Sequence, residues 1–257
     1  MTKASFSQKI FYKFYNMVLG VHPRNTIFAF NFSNVRHIIS FFEKQVLKNI
    51  KNNDNVILDI GAGHCPYYFL FADKATRYLA IDTNFNAISD SRPIERLIAT
   101  ADNLPFDNCT ADIVICNQLL EHVKNPFTVT REIYRTLKPG GFFLGSAPQS
   151  SPIHLEPNDY WRFTEFGIKK LLEDAGFIDI SVEGNGGVHQ CAVLLLCMDW
   201  MLSQQKEGRE QIFYVKRALF LSPLIAVMNI TAMALDKLVG NKYRTPANVC
   251  WIAQKSS

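Results

Sequence analysis

The 257-residue chain predicts an α/β fold in which buried strands alternate with helices and run mainly parallel, and three stretches carry that expectation. Val56-Ile57-Leu58-Asp59-Ile60 is an apolar strand that runs straight into the glycine turn Gly61-Ala62-Gly63. Tyr78-Leu79-Ala80-Ile81 is a second apolar strand, capped by Asp82, which lies 23 residues past Asp59. Asp112 to Asn117 is a third, buried by its β-branched run and followed by a helical pattern and then Lys138-Pro139-Gly140-Gly141.

Taken in order, the chain opens with five basic and no acidic residues between Met1 and Phe42, and with Phe6, Phe11, Tyr12, Phe14 and Tyr15 among its first fifteen. The aromatics are expected to cover the cleft or the sheet edge, with contact to anionic lipid headgroups as the alternative. Ser33 is placed to cap a helix whose Val35, Ile38, Ile39, Phe42 and Val46 form one stripe. The glycine turn follows the first strand, and glycines at 61 and 63 let backbone approach a ligand closely. Pro66 suits the first turn of a following helix, whose free N–H groups would face the same ligand. Asp82 at the tip of the second strand can accept from both hydroxyls of a ribose. Pro66 stands where the third glycine of G-x-G-x-x-G belongs, so a nucleoside without phosphates fits better than a dinucleotide.

Asn125 and Pro126 read as the cap and first residue of a helix with Phe127, Ile133 and Leu137 on one face, stopped by Lys138 to Gly141 before strand Phe142 to Ala147. Next comes the polar-aromatic loop Pro152-Ile153-His154-Leu155-Glu156-Pro157-Asn158-Asp159-Tyr160-Trp161-Arg162-Phe163-Thr164, leading into a helix capped by Thr164 and ended at Gly176. Loops at the carboxyl edge of a parallel sheet meet ligands, so His154, Asp159, Trp161 and Arg162 are the candidates for contacting a substrate. Asp159 and Arg162 could equally be an ion pair that holds the loop shut. A sixth strand is expected near 178–183 and a last one near 248–254, with about sixty residues inserted between them. The insertion contains an uncharged run from Ala218 to Leu235, eighteen residues long and interrupted by Ser222-Pro223 and Asn229. It reads first as a helical cap over the substrate, with contact at the inner face of a membrane as the alternative.

The ordered strings Leu58-Asp59-x-Gly61-x-Gly63, Leu104-Pro105-Phe106, Leu120-Glu121-His122-Val123 and Leu137-Lys138-Pro139-Gly140-Gly141 resemble the class I S-adenosylmethionine-dependent methyltransferases, over Val56 to Val182 and again over Asn248 to Lys255. The resemblance implies a Rossmann-like, mostly parallel sheet of seven strands with an antiparallel last strand, an N-terminal helical segment and a helical insertion before that strand. It implies S-adenosylmethionine as cofactor. Gly61 and Gly63, with Ala62 between them, would meet the amino-acid part of that cofactor, Asp82 and Thr83 its ribose, and Asp59 would order the turn. Thr100 stands where the family carries an acidic or amide residue for the adenine, so Ala101 and Asp102 are expected to serve instead. Asn117 would face the sulfonium side. The loop string at His154 to Thr164 is similar to methyltransferases of surface saccharide or glycolipid assembly. That implies methylation of a hydroxyl on a saccharide, a lipid-linked saccharide or another small molecule, with His154 and then His122 as candidate bases. Carbon methylation of a quinone-like ring, and a methyltransferase-like scaffold without turnover, are the alternatives. Asn117-Gln118-Leu119-Leu120 replaces the [D/N]-P-P-[Y/F] string of enzymes that methylate amino groups.

Composition narrows the field. A net charge of +4 with no basic stripe gives no case for nucleic acid as a partner. Six cysteines show neither C-x-x-C pairs nor metal-ligand spacing, so no metal is expected and the thiols read as reduced in a cytoplasmic setting. The expected organisation is an aromatic, helical extension over 1–50, a core over 51–187 and 245–257, and a helical insertion over 188–244.

Overall fold

The computed structural model describes residues 25–85, 92–202, 211–240 and 244–257. The aromatic stretch before residue 25 lies outside them. The chain divides into two compact units, one of Met1–Ile39 with Asn185–Ala247 and the other of Ser40–Gly184 with Asn248–Ser257. Residues 25–39 of the expected extension thus fall into one unit with the insertion, and residues 40–50 into the other.

The second unit is built on a seven-stranded sheet of order β3-β2-β1-β4-β5-β7-β6. Its strands are β1 (Asn55–Ile60), β2 (Ala75–Asp82), β3 (Glu95–Ile98), β4 (Ala111–Asn117), β5 (Leu137–Pro148), β6 (Phe177–Gly184) and β7 (Asn248–Lys255). The pairs β1–β2, β2–β3, β1–β4 and β4–β5 are parallel, and β7 is antiparallel to both β5 and β6. The central strands are buried almost without interruption, as a parallel sheet covered on both faces requires. Leu58, Ile60, Val114, Cys116, Phe143 and Trp251 form the centre of this core with Ile133, Ile168 and Leu172 from the covering helices. β5 and β7 approach so closely at Gly145 that a Cβ there would sit 2.2 Å from the Trp251 ring. Strand order reverses between β1 and β4, which opens a crevice beyond their carboxyl ends.

Helix α1 (Phe32–Asn49) begins one residue before Ser33, whose hydroxyl donates to Gln190 Oε1 and so caps nothing. Val35, Ile38, Phe42 and Val46 are buried along it, as their spacing predicts. Helix α2 (Pro126–Thr136) starts as expected, with the Asn125 side chain accepting from Thr128 N at 3.1 Å. Phe127, however, points outward at 43% exposure, and Val129 and Ile133 face the core in its place. Helix α3 (Glu165–Asp174) is capped by Thr164 and stops before Gly176, at φ +97°. The glycine turn is followed by turns and a single 3-10 turn at Tyr68–Leu70 in place of the expected helix. Cys65 takes a left-handed φ of +50° there, which ends any helical continuation from Gly63.

The first unit carries α4 (Val188–Leu202) and α5 (Gln211–Val239). Helix α5 runs through Pro223, which has no N–H for the Leu219 carbonyl; the Ser222 hydroxyl donates to that carbonyl at 3.0 Å instead. Asn229 Nδ2 donates to Ile27 O and Ala29 O. Asp236 accepts from the backbone N–H groups of Gly187, His189 and Gln190 and from the His189 and Gln190 side chains. The residues expected to interrupt this helix therefore pin it in place.

Candidate active site

The crevice at the strand-order reversal holds a cavity of about 760 Å³, within the range of small-molecule sites. One wall comes from the tips of β1, β2 and the segment after β3: Gly61, Asp82, Thr83, Thr100, Ala101 and Asp102. The opposite wall comes from the segment after β4 and the loop after β5: His122, Asn125, Leu155, Glu156 and Asn158. Gln118 and Leu119 lie between them.

The turn that forms the first wall is held from behind. Gly61 N and Ala62 N both donate to Ile81 O, which fixes the turn to β2. Gly61 has φ +71°, and a Cβ on it would meet Leu119 Cδ1 at 2.9 Å. Gly63 has φ +48° and open space beyond its Cα, so a ligand can lie against bare backbone there. Asp82 accepts from Gly63 N at 2.9 Å, joining the turn to the tip of β2. Arg92 donates to the carbonyls of His64 and Cys65, and Arg96 reaches the Cys65 sulfur at 3.8 Å. Burial pushes the Cys65 thiol up to about 11, so it is an inert, packed thiol under the turn.

Several residues picked out by sequence do not line the cavity. Asp59 is buried and accepts from the Tyr78 hydroxyl at 2.7 Å, while backbone bonds to Ile81 tie the turn to β2. Burial raises its pKa to about 6. Asn117 accepts from Ser146 Oγ at 3.1 Å, and its Nδ2 is buried without a partner among the described residues. Beside it Gln118, at φ +50°, turns towards the cavity and bonds Ser146 Oγ and Asn248 Oδ1. A left-handed glutamine after an apolar strand leaves no signal in the sequence.

The loop after β5 is its own scaffold. Arg162 and Asp159 form a bidentate pair at 2.7 Å, and Arg162 also donates to the carbonyls of Ser151, Pro152 and Trp161. That guanidinium, with the His154 N–H, holds the Asp159 carboxyl far below the usual carboxylate range. Trp161 Nε1 donates to Val123 O, and the backbone N–H groups of Tyr160 and Trp161 donate to Glu121 O. Asp159, Trp161 and Arg162 thus bind the loop to the segment after β4, the ion-pair alternative, and none of them faces the cavity.

The same bonds bring His154 beside His122, rings 4.9 Å apart and edge to face. His122 Nδ1 lies 2.7 Å from Asn158 O and His154 Nδ1 lies 3.0 Å from Pro152 O. A carbonyl only accepts, so each Nδ1 carries a proton, and Nε2 is the nitrogen that bears the lone pair in the neutral ring. Under the pair is Glu121, fully buried, its carboxyl oxygens without a side-chain partner in hydrogen-bond range among the described residues. Burial raises its carboxyl to about 8. The string Leu120-Glu121-His122-Val123 points to His122, and nothing in it singles out Glu121.

The cavity fits S-adenosylmethionine in its donors: a carboxylate at the tip of β2, bare glycine backbone at the tip of β1, and a short polar segment at Thr100 to Asp102. The family model described as a methyltransferase domain matches residues 58–145. A probable S-adenosylmethionine-dependent methyltransferase of Mycobacterium tuberculosis is 28% identical over 138 residues, 50% of this chain and 50% of that protein. The chain therefore spans about half the length of the curated relatives it matches. Among solved structures, phosphoethanolamine N-methyltransferase 2 of Haemonchus contortus, in complex with S-adenosyl-L-methionine, superposes with a TM-score of 0.55 at 18% identity, covering 84% of this chain and 52% of that one. The [4+2]-cyclase SpnF superposes at 0.53 and 18% identity, covering 85% and 81%, so this fold by itself does not fix a reaction. The sheet order, the ordered strings and the domain match agree: the chain carries a methyltransferase domain matched over residues 58–145, on a Rossmann-like sheet similar to that of the class I S-adenosylmethionine-dependent methyltransferases.

Proposed function

We propose that the chain transfers a methyl group from S-adenosylmethionine to a hydroxyl of a saccharide or lipid-linked saccharide. The observation that supports this is a single cavity with the Asp82 and glycine-turn wall on one side and His122 on the other. Bound there, the cofactor supplies an electrophilic methyl on a sulfonium. Asp82 would accept from the ribose hydroxyls, and the backbone at Ala101 with the Asp102 carboxylate would meet the adenine. The loop from Pro152 to Phe163, closed by the Asp159–Arg162 pair, would exclude water and keep acceptor and methyl in line. A hydroxyl must shed its proton as its oxygen forms the new C–O bond, and the group of Glu121, His122 and His154 is placed to assist that loss. The missing [D/N]-P-P-[Y/F] string weighs against an amino acceptor. Calorimetry with S-adenosylmethionine, then mass spectrometry of methyl ethers formed on a lipid-linked saccharide fraction, tests the reading. Failure to bind the methyl donor would sink it, and so would donor binding without S-adenosylhomocysteine from any hydroxyl acceptor.

We further propose that the first unit rests on a membrane surface. Helix α5 buries Ser222, Asn229 and Asp236 together with Ala218, Ile225, Ala226 and Ala232, while Phe220, Leu224, Val227, Ile230, Leu235 and Leu238 are exposed. Outward apolar side chains over buried polar ones suit a helix whose surroundings are themselves apolar. Arg217 to Val239 is also long and apolar enough to cross a bilayer by length and composition. A crossing would carry β7 away from the sheet it completes between β5 and β6, so the helix is read as lying in the interface.

A further inference from the structure

We propose that Glu121, His122 and His154 form a binding site for one divalent cation of the manganese-to-zinc series, at the wall of the cavity that His122 lines. One ligand atom from each residue lies within 4.8 Å of the others, and His122 Nε2 is 3.8 Å from Glu121 Oε1. Ligand atoms around such a cation sit about 2.0–2.2 Å from it, so this spacing is a slightly expanded ligand set.

Two further observations point to a cation and not to a chance cluster. Both imidazoles have Nδ1 committed to a carbonyl, His122 to Asn158 and His154 to Pro152, with Asp159 Oδ2 a further 3.5 Å contact of His154 Nδ1. Outer hydrogen bonds of this kind fix the tautomer and aim the Nε2 lone pair of a metal-binding histidine. Glu121 is the second observation. Its carboxyl is fully buried, and among the described residues its oxygens find no polar group closer than the N–H of its own backbone and His122 Nε2, although the Arg162 and Asp159 charges are close enough to influence it. A buried carboxyl left unpaired is costly, and coordination removes the cost. Two imidazoles and one carboxylate suit manganese, iron, cobalt or zinc better than calcium, which prefers oxygen alone. Three protein ligands leave positions open for water or substrate.

What the cation does rests on the hydroxyl reading given above. An acceptor hydroxyl in an open position is acidified, as metal-bound water is, and a neighbouring hydroxyl on the same sugar can take a second position and fix the orientation. The acceptor O–H releases its proton to solvent. The oxygen lone pair forms the C–O bond while the S–C bond breaks, leaving its electron pair on sulfur as the sulfonium becomes a neutral thioether.

Binding can be read without turnover. The full chain, stripped with chelator, is titrated with Mn²⁺ by calorimetry and by loss of the free-ion paramagnetic resonance signal, and with Co²⁺ by its visible spectrum. One site is expected. Glu121→Gln and His154→Ala should each weaken Mn²⁺ by at least roughly tenfold, since each removes a ligand. Glu121→Gln leaves the buried volume unchanged, and circular dichroism confirms that both variants are folded. No Mn²⁺ or Co²⁺ binding at millimolar concentration, or binding unaltered in both folded variants, overturns the site. If methyl ether forms at full rate in excess chelator, the cation proposal fails and the function stands; if Mn²⁺ binds but no hydroxyl is methylated, the function fails and the site stands.

Discussion

Two aspartates at the ends of adjacent strands show how position decides a carboxyl's job. Asp59 and Asp82 both sit near the glycine turn, yet Asp59 is buried against the Tyr78 hydroxyl while Asp82 lines the cavity. As pH rises, the unfolded Asp59 carboxyl ionises near its ordinary value of about 4, and the folded one only near about 6. Between those values the unfolded state has released a proton that the folded state still holds. Stability therefore falls as pH rises through this window and is level above it, by about 3 kcal/mol at most. Asp59→Asn keeps an oxygen for Tyr78 and cannot ionise. Urea unfolding is expected to show the variant more stable than the parent at about pH 8 and no more stable at about pH 4; equal stability at both would place the Asp59 proton elsewhere. Asp82→Ala should behave differently, weakening S-adenosylmethionine by about 1–3 kcal/mol through unpaired ribose hydroxyls. Its effect on unfolding should be smaller, because Asp82 is partly open and its main partner is the Gly63 N–H.

At the scale of the element, the loop after β5 is the part that turns a fold into a site. It is short of secondary structure, and its order comes from Arg162, which ties together the Asp159 carboxylate and the carbonyls of Ser151, Pro152 and Trp161. Arg162→Ala leaves Asp159, nearly buried, without its cation, at a cost of about 3 kcal/mol. Since His154 N and Nδ1 both lie against Asp159, the variant should also lose methyl transfer by more than its loss of donor affinity. Arg162→Lys should rescue little, because one ammonium cannot replace a planar fork; full rescue by lysine would mean that charge alone orders the loop. The string from His154 to Thr164 made this loop legible as a site, but not which of its residues face inward. An Asp and an Arg three apart read the same whether they grip a substrate or each other. Much of the rest was legible for local reasons: the strand runs at Val56, Tyr78 and Asp112, the Asn125-Pro126 cap and the Thr164 cap are decided within a few residues. The missing helix after Gly63 was not, because it depends on the left-handed backbone at Cys65 and on arginines reaching in from residues 92 and 96. Glu121, His122 and His154 were illegible as a set for the same reason, since 32 residues separate the histidines and only the closed loop joins them.

For the whole molecule, the question is why a chain with a donor-binding sheet should also carry the first unit, with so much exposed apolar surface on α5. Nothing in the chemistry of methyl transfer needs it. The buried face of α5 is costly to build, with Asn229 and Asp236 each requiring several partners, and the exposed face gives up aqueous stability at Phe220, Leu224, Val227 and Leu238. A helix selected only to cover a soluble core would carry polar residues at those exposed positions. On the proposed reading, an apolar acceptor, or one held in a lipid leaflet, gives that arrangement a use: the unit would deliver the enzyme to the surface that holds its substrate. Burying Phe220, Leu224 and Val227 in the boundary between headgroups and chains is worth about 1.5–3 kcal/mol each, and the sequence excess of seven basic over four acidic residues between 188 and 244 adds attraction to anionic lipid. The chain is therefore expected to sediment with vesicles of phosphatidylcholine containing phosphatidylglycerol, and less with phosphatidylcholine alone. The triple substitution Phe220→Asp, Leu224→Asp, Val227→Asp should abolish sedimentation while leaving S-adenosylmethionine affinity unchanged, because none of the three lines the donor cavity. It should also slow methylation of a lipid-linked acceptor far more than of the same saccharide free in solution. Equal loss on both acceptors would mean that α5 serves the active site itself, and undiminished vesicle binding would mean that lipid meets another part of the chain.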